Sequence, residues 1–410
     1  MAAAILSSAA VVSRADVPPP TPVPPSGSPS PFPTALHTPP PSDTRPGVHA
    51  AAAILVDLGS GQAVFEKKPD MRLPIASLTK LMTAVVVLRS VKLSRVVTVS
   101  SRAAAAGGSE LGLEPGERRT VRDLLYALLL QSSNDAAMAL AEGVAGSVEA
   151  FVQRMNDRAD ALGLRNSRFS SPNGLDDRGY STANDLAALT RAAFGYPAFA
   201  EISSTKSYVV PASGEPDRHI QNRNALLWLY RGAVGVKTGF TTPAGHCLVA
   251  AARRGVRGLV AVVLGEPTED RMFDDAATLL NYGFAGFRNV DLIDGGGEAG
   301  TITVQGRPVY VVAGSGLTKL IPARAAGAVQ VRIVAAPGLR LPIEAGTTVG
   351  RVVFLGRGAK LGSVVALAGE TVTQPPPKPS PGRGGPPTSR PSPVVNLVGV
   401  LVRAALGGMV

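Results

Sequence analysis

The stretch PIASLTKLMTA, residues 74–84, sets a serine, Ser77, three residues ahead of a lysine, Lys80, where an apolar segment begins. In LTKLMTAVVVL the residues Leu78, Leu81, Met82 and Val85 recur at i, i+3, i+4 and i+7, which predicts a helix with one apolar face. Positions i and i+3 share a face of a helix, so Ser77 and Lys80 can meet. A lysine activates a serine when its amine is neutral and close. The first-turn N–H groups also gather partial positive charge near Ser77, which favours a developing oxyanion.

The spacing is weak evidence by itself. Ser-x-x-Lys is expected about once by chance in a chain of this composition, and it occurs again at Ser203 and Lys206. That second pair precedes the strand-like run SYVV, where i and i+3 fall on opposite faces, so it is read as a coincidence. The first pair differs in its company. LLLQSSNDAAMAL offers Ser132, Ser133 and Asn134 at a break between two helical stretches, and VGVKTGFTTPAGH offers Lys237, Thr238 and Gly239 in a strand. Taken singly, Ser132 and Asn134 are helix caps and Lys237 is a solvated strand end. Taken together and in this order, the three elements turn that reading toward a functional site.

Outward from these motifs, HAAAAILVDLGSGQAVFEKK (49–68) predicts two β-runs around a Gly59-Ser60-Gly61 turn. Residues 120–196 are expected to be largely helical, with Thr120 and Asp123 placed as a capping box. Strand signals return at GAVGVKTGF (232–240), and HCLVAAARR and VRGLVAVVLG flank Gly255 as a hairpin. From Asp291 to Val372, runs such as RPVYVVAG, AVQVRIVAA and GRVVFLGRG alternate with glycine and proline turns, the pattern of an all-β module. Folded material is therefore bounded by two Pro-rich stretches, 16–47 and 374–393, in which proline removes the donors that a core needs. Residues 1–15 have the apolar run and small-x-small site of a secretory signal cut before Asp16, without a basic N-terminal residue. In the tail 394–410, Asn396, Gly399, Arg403 and Gly407 form a narrow polar stripe, which predicts a helix lying in a membrane interface.

Composition narrows the function. At 410 residues and 45% hydrophobic content the chain holds one large core or two moderate ones. Its net charge of +11 suits an anionic membrane surface or wall polymer, while 5% aromatic content with no basic-aromatic run argues against nucleic-acid stacking. The single cysteine, Cys247, excludes an intramolecular disulfide and is expected to be a buried small apolar residue. There is no HExxH, no Cys/His cluster and no phosphate-cradling GxxxxGK[ST], so neither a metal nor a nucleotide cofactor is expected. The four scattered histidines and the lack of a GxSxG elbow leave a Ser-His-Asp mechanism without support.

The three motifs are those shared by β-lactamases and penicillin-binding proteins. With FVQRMNDRADALGLRNSRFSSPNGLDDRGYSTANDLAAL, NRNALLW and LLNYGF beside them, the chain resembles a low-molecular-mass penicillin-binding protein, a serine D-alanyl-D-alanine carboxypeptidase. The likeness covers residues 48–289 closely and 290–373 in architecture. It implies an α/β transpeptidase fold, an antiparallel sheet flanked by helices, followed by a smaller all-β domain. It implies Ser77 as the acylated nucleophile and Lys80 as its base, with burial and Lys237 depressing the lysine pKa. Ser132 would relay a proton to the leaving D-alanine, and Asn134 would hold Lys80 and a substrate amide. Lys237 and Thr238 would bind the terminal carboxylate, and Gly239 would leave room for the substrate backbone. The N–H groups of Ser77 and Phe240 would form the oxyanion hole. Arg223 matches a family arginine near the carboxylate, and Arg271 is matched to a second. The implied partners are peptidoglycan stem peptides, β-lactams as covalent inhibitors, and a membrane surface met by the tail at the outer face of the cytoplasmic membrane. Two other functions compete. A class A β-lactamase needs a glutamate for deacylation, and no Glu-x-x-Leu-Asn follows the Ser132 motif. A non-catalytic wall-binding protein would not require the nucleophile, base and carboxylate site to be intact together.

Overall fold

The computed structural model describes residue 36 and residues 44–176, 178–211, 217–356 and 358–374. The signal segment, most of the first Pro-rich stretch, the second Pro-rich stretch beyond residue 374 and the tail lie outside the described residues.

The run AAILVD forms β1 (Ala52–Asp57), buried at every position, and after a turn β2 (Ala63–Lys67) pairs with it. Asp57 closes that turn by accepting from the N–H and hydroxyl of Ser60, both at 2.7 Å. A 3₁₀ turn, Ala76–Thr79, then leads into α1 (Lys80–Ser90). All residues from Lys80 to Val87 are buried, so α1 is enclosed on every side rather than on the one face that the apolar spacing predicts. The intervening positions are threonine, alanine and valine, small enough to be surrounded.

Thr120 caps α2 (Val121–Tyr126): its hydroxyl accepts from the Asp123 N–H at 3.1 Å and donates to the Asp123 carboxylate at 2.5 Å. A π-helical turn, Ala127–Gln131, separates α2 from α3 (Asn134–Ala145), and α4 (Val148–Ala161) follows. The helical reading of 120–196 fails between Leu162 and Thr182. There the chain is irregular, pinned by single bridges from Leu73 to Ser181 and from Arg168 to Tyr180. Helix returns as α5 (Ala183–Ala193), capped by Thr182, and α6 (Pro197–Ser204).

The last three strands of the first sheet are β3 (Ala233–Thr241), β4 (Gly245–Arg254) and β5 (Arg257–Glu266), the latter two forming the hairpin around Gly255. All pairings are antiparallel and the order is β2-β1-β5-β4-β3, which leaves β3 at an edge. The helix α7 (Glu269–Gly286) leads out of this sheet, its Thr268 cap accepting from the Arg271 N–H. Cys247 lies in β4 with no exposure, and burial pushes its thiol up to about 11, as a small apolar residue requires.

Beyond α7 the described chain is almost entirely β. β6 (Phe287–Ile293), β7 (Glu298–Val304), β8 (Arg307–Ala313), β9 (Leu317–Pro322), β10 (Val329–Ala335), β11 (Thr348–Gly356) and β12 (Ala359–Ala368) build a β6-β9 pair and a five-stranded antiparallel sheet ordered β7-β8-β12-β11-β10. This part has its own apolar core, centred on Val309, Val311, Val352 and Phe354, separate from the core around α1. The fold class expected from the sequence is therefore the one observed.

Candidate active site

Ser77 is the second residue of the 3₁₀ turn that leads into α1, and it follows a strained position: Ala76 has φ of +47°, a conformation that a side chain disfavours. Two glycines make that turn possible. At Gly174, where φ is +79°, a Cβ would come within 2.0 Å of the Ala76 carbonyl oxygen. At Gly239 a Cβ would lie 3.1 Å from the Ser77 nitrogen and 3.2 Å from that of Leu78. The glycine of the strand motif thus sits tightly against the protein's own nucleophile turn, where a side chain would press on the Ser77 backbone, in addition to leaving room for a substrate. Ser77 is half-buried, while Lys80 one turn later has no exposure.

The Lys80 amine has three oxygen neighbours: Ser77 Oγ at 2.8 Å, Asn134 Oδ1 at 2.8 Å and the Asn173 carbonyl at 2.7 Å. A neutral amine has two N–H donors and one lone pair. Donating to Asn134 and to the Asn173 carbonyl leaves the lone pair for the Ser77 hydroxyl. Charge favours that state: burial first and the Arg223 guanidinium second bring the Lys80 pKa from 10.5 down to about 7, against the opposing carboxylate of Asp135. Arg223 thus joins Lys237 in that role. The two lysines repel one another, so each disfavours the other's ammonium form: Lys237 is held well below the ordinary lysine range by burial, then by Lys80, then by Arg223.

Ser132 ends the π-helical turn in the left-handed region, with φ of +68°, and is buried. A π-turn and a left-handed serine in succession are the kind of irregularity that clusters at working sites. Asn134 opens α3. Its N–H donates to the Ser109 carbonyl at 2.6 Å and its Nδ2 to the Gly107 carbonyl at 2.8 Å, so its Oδ1 is left to face Lys80. The neighbouring Asp135, buried, accepts from the N–H groups of Leu111, Gly112 and Leu113 at 2.9 to 3.0 Å, fixing the segment that Asn134 leans on.

Lys237 is 1% exposed and its amine donates to the Thr238 carbonyl at 2.8 Å. Arg223 Nη1 donates to Ser109 Oγ at 2.9 Å, and the Arg223 N–H to the Leu130 carbonyl, tying it to the π-turn. Lys80, Lys237 and Arg223 thus share one neighbourhood, opposed by Asp135 at Lys80 and by Glu269 at Arg223, a net positive potential suited to a carboxylate. Phe240 closes the strand motif with its ring exposed. Arg271 lies exposed in the first turn of α7, and it is Glu269, two residues earlier, whose charge reaches Arg223 and His246.

The other Ser-x-x-Lys pair is engaged elsewhere. It precedes the run SYVV, which is a strand over Ser207–Val210 as expected; Ser203, in the last turn of α6, donates its hydroxyl to the carbonyls of Ala200 and Val234, while Lys206 lies over the Trp228 ring at 5.6 Å. Among the described residues no group of three or more His, Cys, Asp or Glu side chains is disposed to hold a metal ion. A separate cleft of about 280 Å³, lined by Asp57, Arg191, Phe194 and Arg253 among others, shares no residue with the Ser77 cluster.

A family model described as D-alanyl-D-alanine carboxypeptidase matches residues 40–268. The chain is 35% identical over 242 residues to the D-alanyl-D-alanine carboxypeptidase DacF of Bacillus subtilis, an alignment covering 58% of this chain and 62% of that protein, less than two thirds of its length. It is 38% identical over 293 residues to DacC of Escherichia coli, covering 63% and 72%. The crystal structure of the D-alanyl-D-alanine carboxypeptidase DacD from Francisella tularensis is similar with a TM-score of 0.74 at 28% identity, over 82% of this chain and 96% of that one. Penicillin binding protein 5 from Haemophilus influenzae is similar with a TM-score of 0.69 at 30% identity, over 81% and 99%.

Proposed function

The chain belongs to the D-alanyl-D-alanine carboxypeptidase family, and from that premise we propose that it is a serine carboxypeptidase that removes the terminal D-alanine from peptidoglycan stem peptides. The observation that carries the proposal is the contact set of the Lys80 amine, with Ser77 Oγ at 2.8 Å and two further oxygens claiming its N–H groups. Lys80 takes the proton as Ser77 Oγ bonds to the carbonyl carbon of the penultimate D-alanine. The N–H groups of Ser77 and Phe240 hold the oxyanion. Lys237, Thr238 and Arg223 hold the terminal carboxylate. Collapse of the tetrahedral species breaks the C–N bond, with Ser132 passing the proton to the leaving amine. Water, deprotonated by Lys80, then attacks the ester and frees Ser77.

A β-lactam follows the same first step and stays as an ester on Ser77. Asp135 is the acid whose charge reaches Lys80, but backbone N–H groups occupy its carboxylate and it has no oxygen free to activate water. This supports slow release of bound penicillin over the rapid turnover of a β-lactamase. In domain terms, residues 48–289 carry the catalysis and 290–373 form a β-rich support. Residues 1–15 direct export, and the tail 394–410 rests on the membrane beyond the 374–393 linker. Among the described residues no helix is long and apolar enough to cross a membrane.

Purified protein is expected to release D-alanine from an acyl-D-Ala-D-Ala peptide and to carry one long-lived penicilloyl group on Ser77 by peptide mapping. Ser77→Ala loses both and Ser203→Ala keeps both. Wild-type labelling by Ser77→Ala, or release of the penicilloyl group within seconds, would refute the reading. Deleting 394–410 is expected to abolish co-sedimentation with anionic liposomes, and unchanged sedimentation would refute the role of the tail.

A further inference from the structure

β3 is the outer strand of its sheet, and the backbone at Gly239 lies directly against the Ser77 turn. An edge strand offers unpaired backbone groups that an extended peptide can complete. The residue after Gly239 is Phe240, whose large apolar side chain is 58% exposed beside this edge. The ring is nevertheless supported. Phe240 is paired with His246 across β3 and β4, and the two ring centroids lie 4.4 Å apart at an interplanar angle of 35°. His246 is half-buried, and burial lowers its pKa while Glu269 opposes, which favours the uncharged imidazole behind the phenyl ring.

Thr238 and Phe240 stand two residues apart on the strand, so their side chains share a face about 7 Å apart. In the reading above, Thr238 takes the carboxylate end of the substrate and the Phe240 N–H takes the scissile carbonyl. Ring and N–H belong to one residue, so the ring stands about 6 Å from the reacting carbon. It lies toward the acyl half, since the leaving D-alanine runs back toward Thr238. We propose that Phe240, propped by His246, is a specificity-determining residue: the two rings form an apolar platform for the side chain preceding D-Ala-D-Ala and select a stem of several methylenes over a small side chain. The platform itself carries no charge and reads length, so neutral and cationic stems of equal reach are treated alike. This inference rests on the carboxypeptidase reading.

The test is kcat/KM for acyl-Xaa-D-Ala-D-Ala peptides with norleucine, lysine or alanine at Xaa. Each methylene shielded on the ring contributes about fourfold, so with about two of the three extra methylenes shielded the wild type is expected to prefer norleucine and lysine over alanine by about fifteenfold. Phe240→Ala is expected to bring the three within about twofold, and His246→Ala to give an intermediate ratio. Ratios are taken within each variant, so a general loss of activity cancels. Equal rates for the three peptides in the wild type, a preference for lysine alone, or a preference that survives Phe240→Ala would each overturn the platform. Failure to release D-alanine from any of the three peptides would instead remove the carboxypeptidase reading beneath it.

Discussion

Replacing Asn134 with aspartate puts a carboxylate where an amide oxygen now lies 2.8 Å from the Lys80 amine. The native environment brings Lys80 from 10.5 down to about 7, which amounts to about 5 kcal/mol against the ammonium form. At pH 7 about half of the enzyme then carries a free base, against roughly one part in three thousand for an ordinary lysine. A carboxylate at 2.8 Å attracts an ammonium by about 6 kcal/mol at an effective dielectric constant of about 20. That is enough to offset the whole depression and return Lys80 to its charged form. The variant also loses the Nδ2 donor to the Gly107 carbonyl, which weakens the support of the site further. The assay is the second-order rate of Ser77 acylation by a fluorescent penicillin, measured from pH 5 to 11 by stopped flow. Wild type is expected to show an acid limb near pH 7, because the competent base is the unprotonated amine. In Asn134→Asp the limb moves above about pH 9, and the rate at pH 7 falls at least about fiftyfold. An acid limb that stays near pH 7 in the variant, with little loss of rate, would show that the lysine charge state does not limit acylation.

Two further outcomes follow from the geometry. Gly174→Ala drives a Cβ toward the Ala76 carbonyl at a positive φ, so the nucleophile turn must shift. Acylation is expected to fall at least about tenfold with a lowered melting temperature, and unchanged kinetics would mean that the turn is not held from that side. Glu266, 1% exposed, is raised to about 8, by burial first and then by its neighbour Asp275. Between its unfolded and folded pKa values the folded state holds the extra proton, so this group lowers stability as pH rises from about 5 to 8. Denaturant titrations of Glu266→Gln over that window are expected to be flatter than wild type, and parallel curves would contradict the assignment.

The two side chains that meet the Lys80 amine were legible in the sequence because each motif pairs a residue type with a recognisable local setting: a serine and lysine at helical spacing, and an asparagine opening a helix. The third contact of Lys80 was not, because a backbone carbonyl at Asn173 has no dependence on side-chain identity. It is delivered by a loop inside a stretch whose composition reads as helix, where Pro172 and Gly174 break the periodicity. The left-handed Ala76 was hidden for a similar reason. Alanine carries no signal for positive φ, and the room for that conformation is left by Gly174 and Gly239, distant in the chain. Nothing in the local sequence marks Asp135, because only tertiary structure brings the N–H groups of Leu111, Gly112 and Leu113 onto its carboxylate. Arg223 came from a short local match, yet its effect on the base depends on the distance between two elements that spacing cannot supply. The burial of α1 on all sides also exceeded what its amphipathic spacing predicts.

The dryness around Lys80 links its chemistry to the integrity of its surroundings. A lysine with no exposure titrates near pH 7 only while α3 and the Asn173 loop keep solvent away. A local opening that admits water restores the ammonium and silences the base while both sheets remain intact. Mild denaturant should therefore switch the site off well before it melts the molecule, making the amine an internal gauge of how tightly the chain is closed around it.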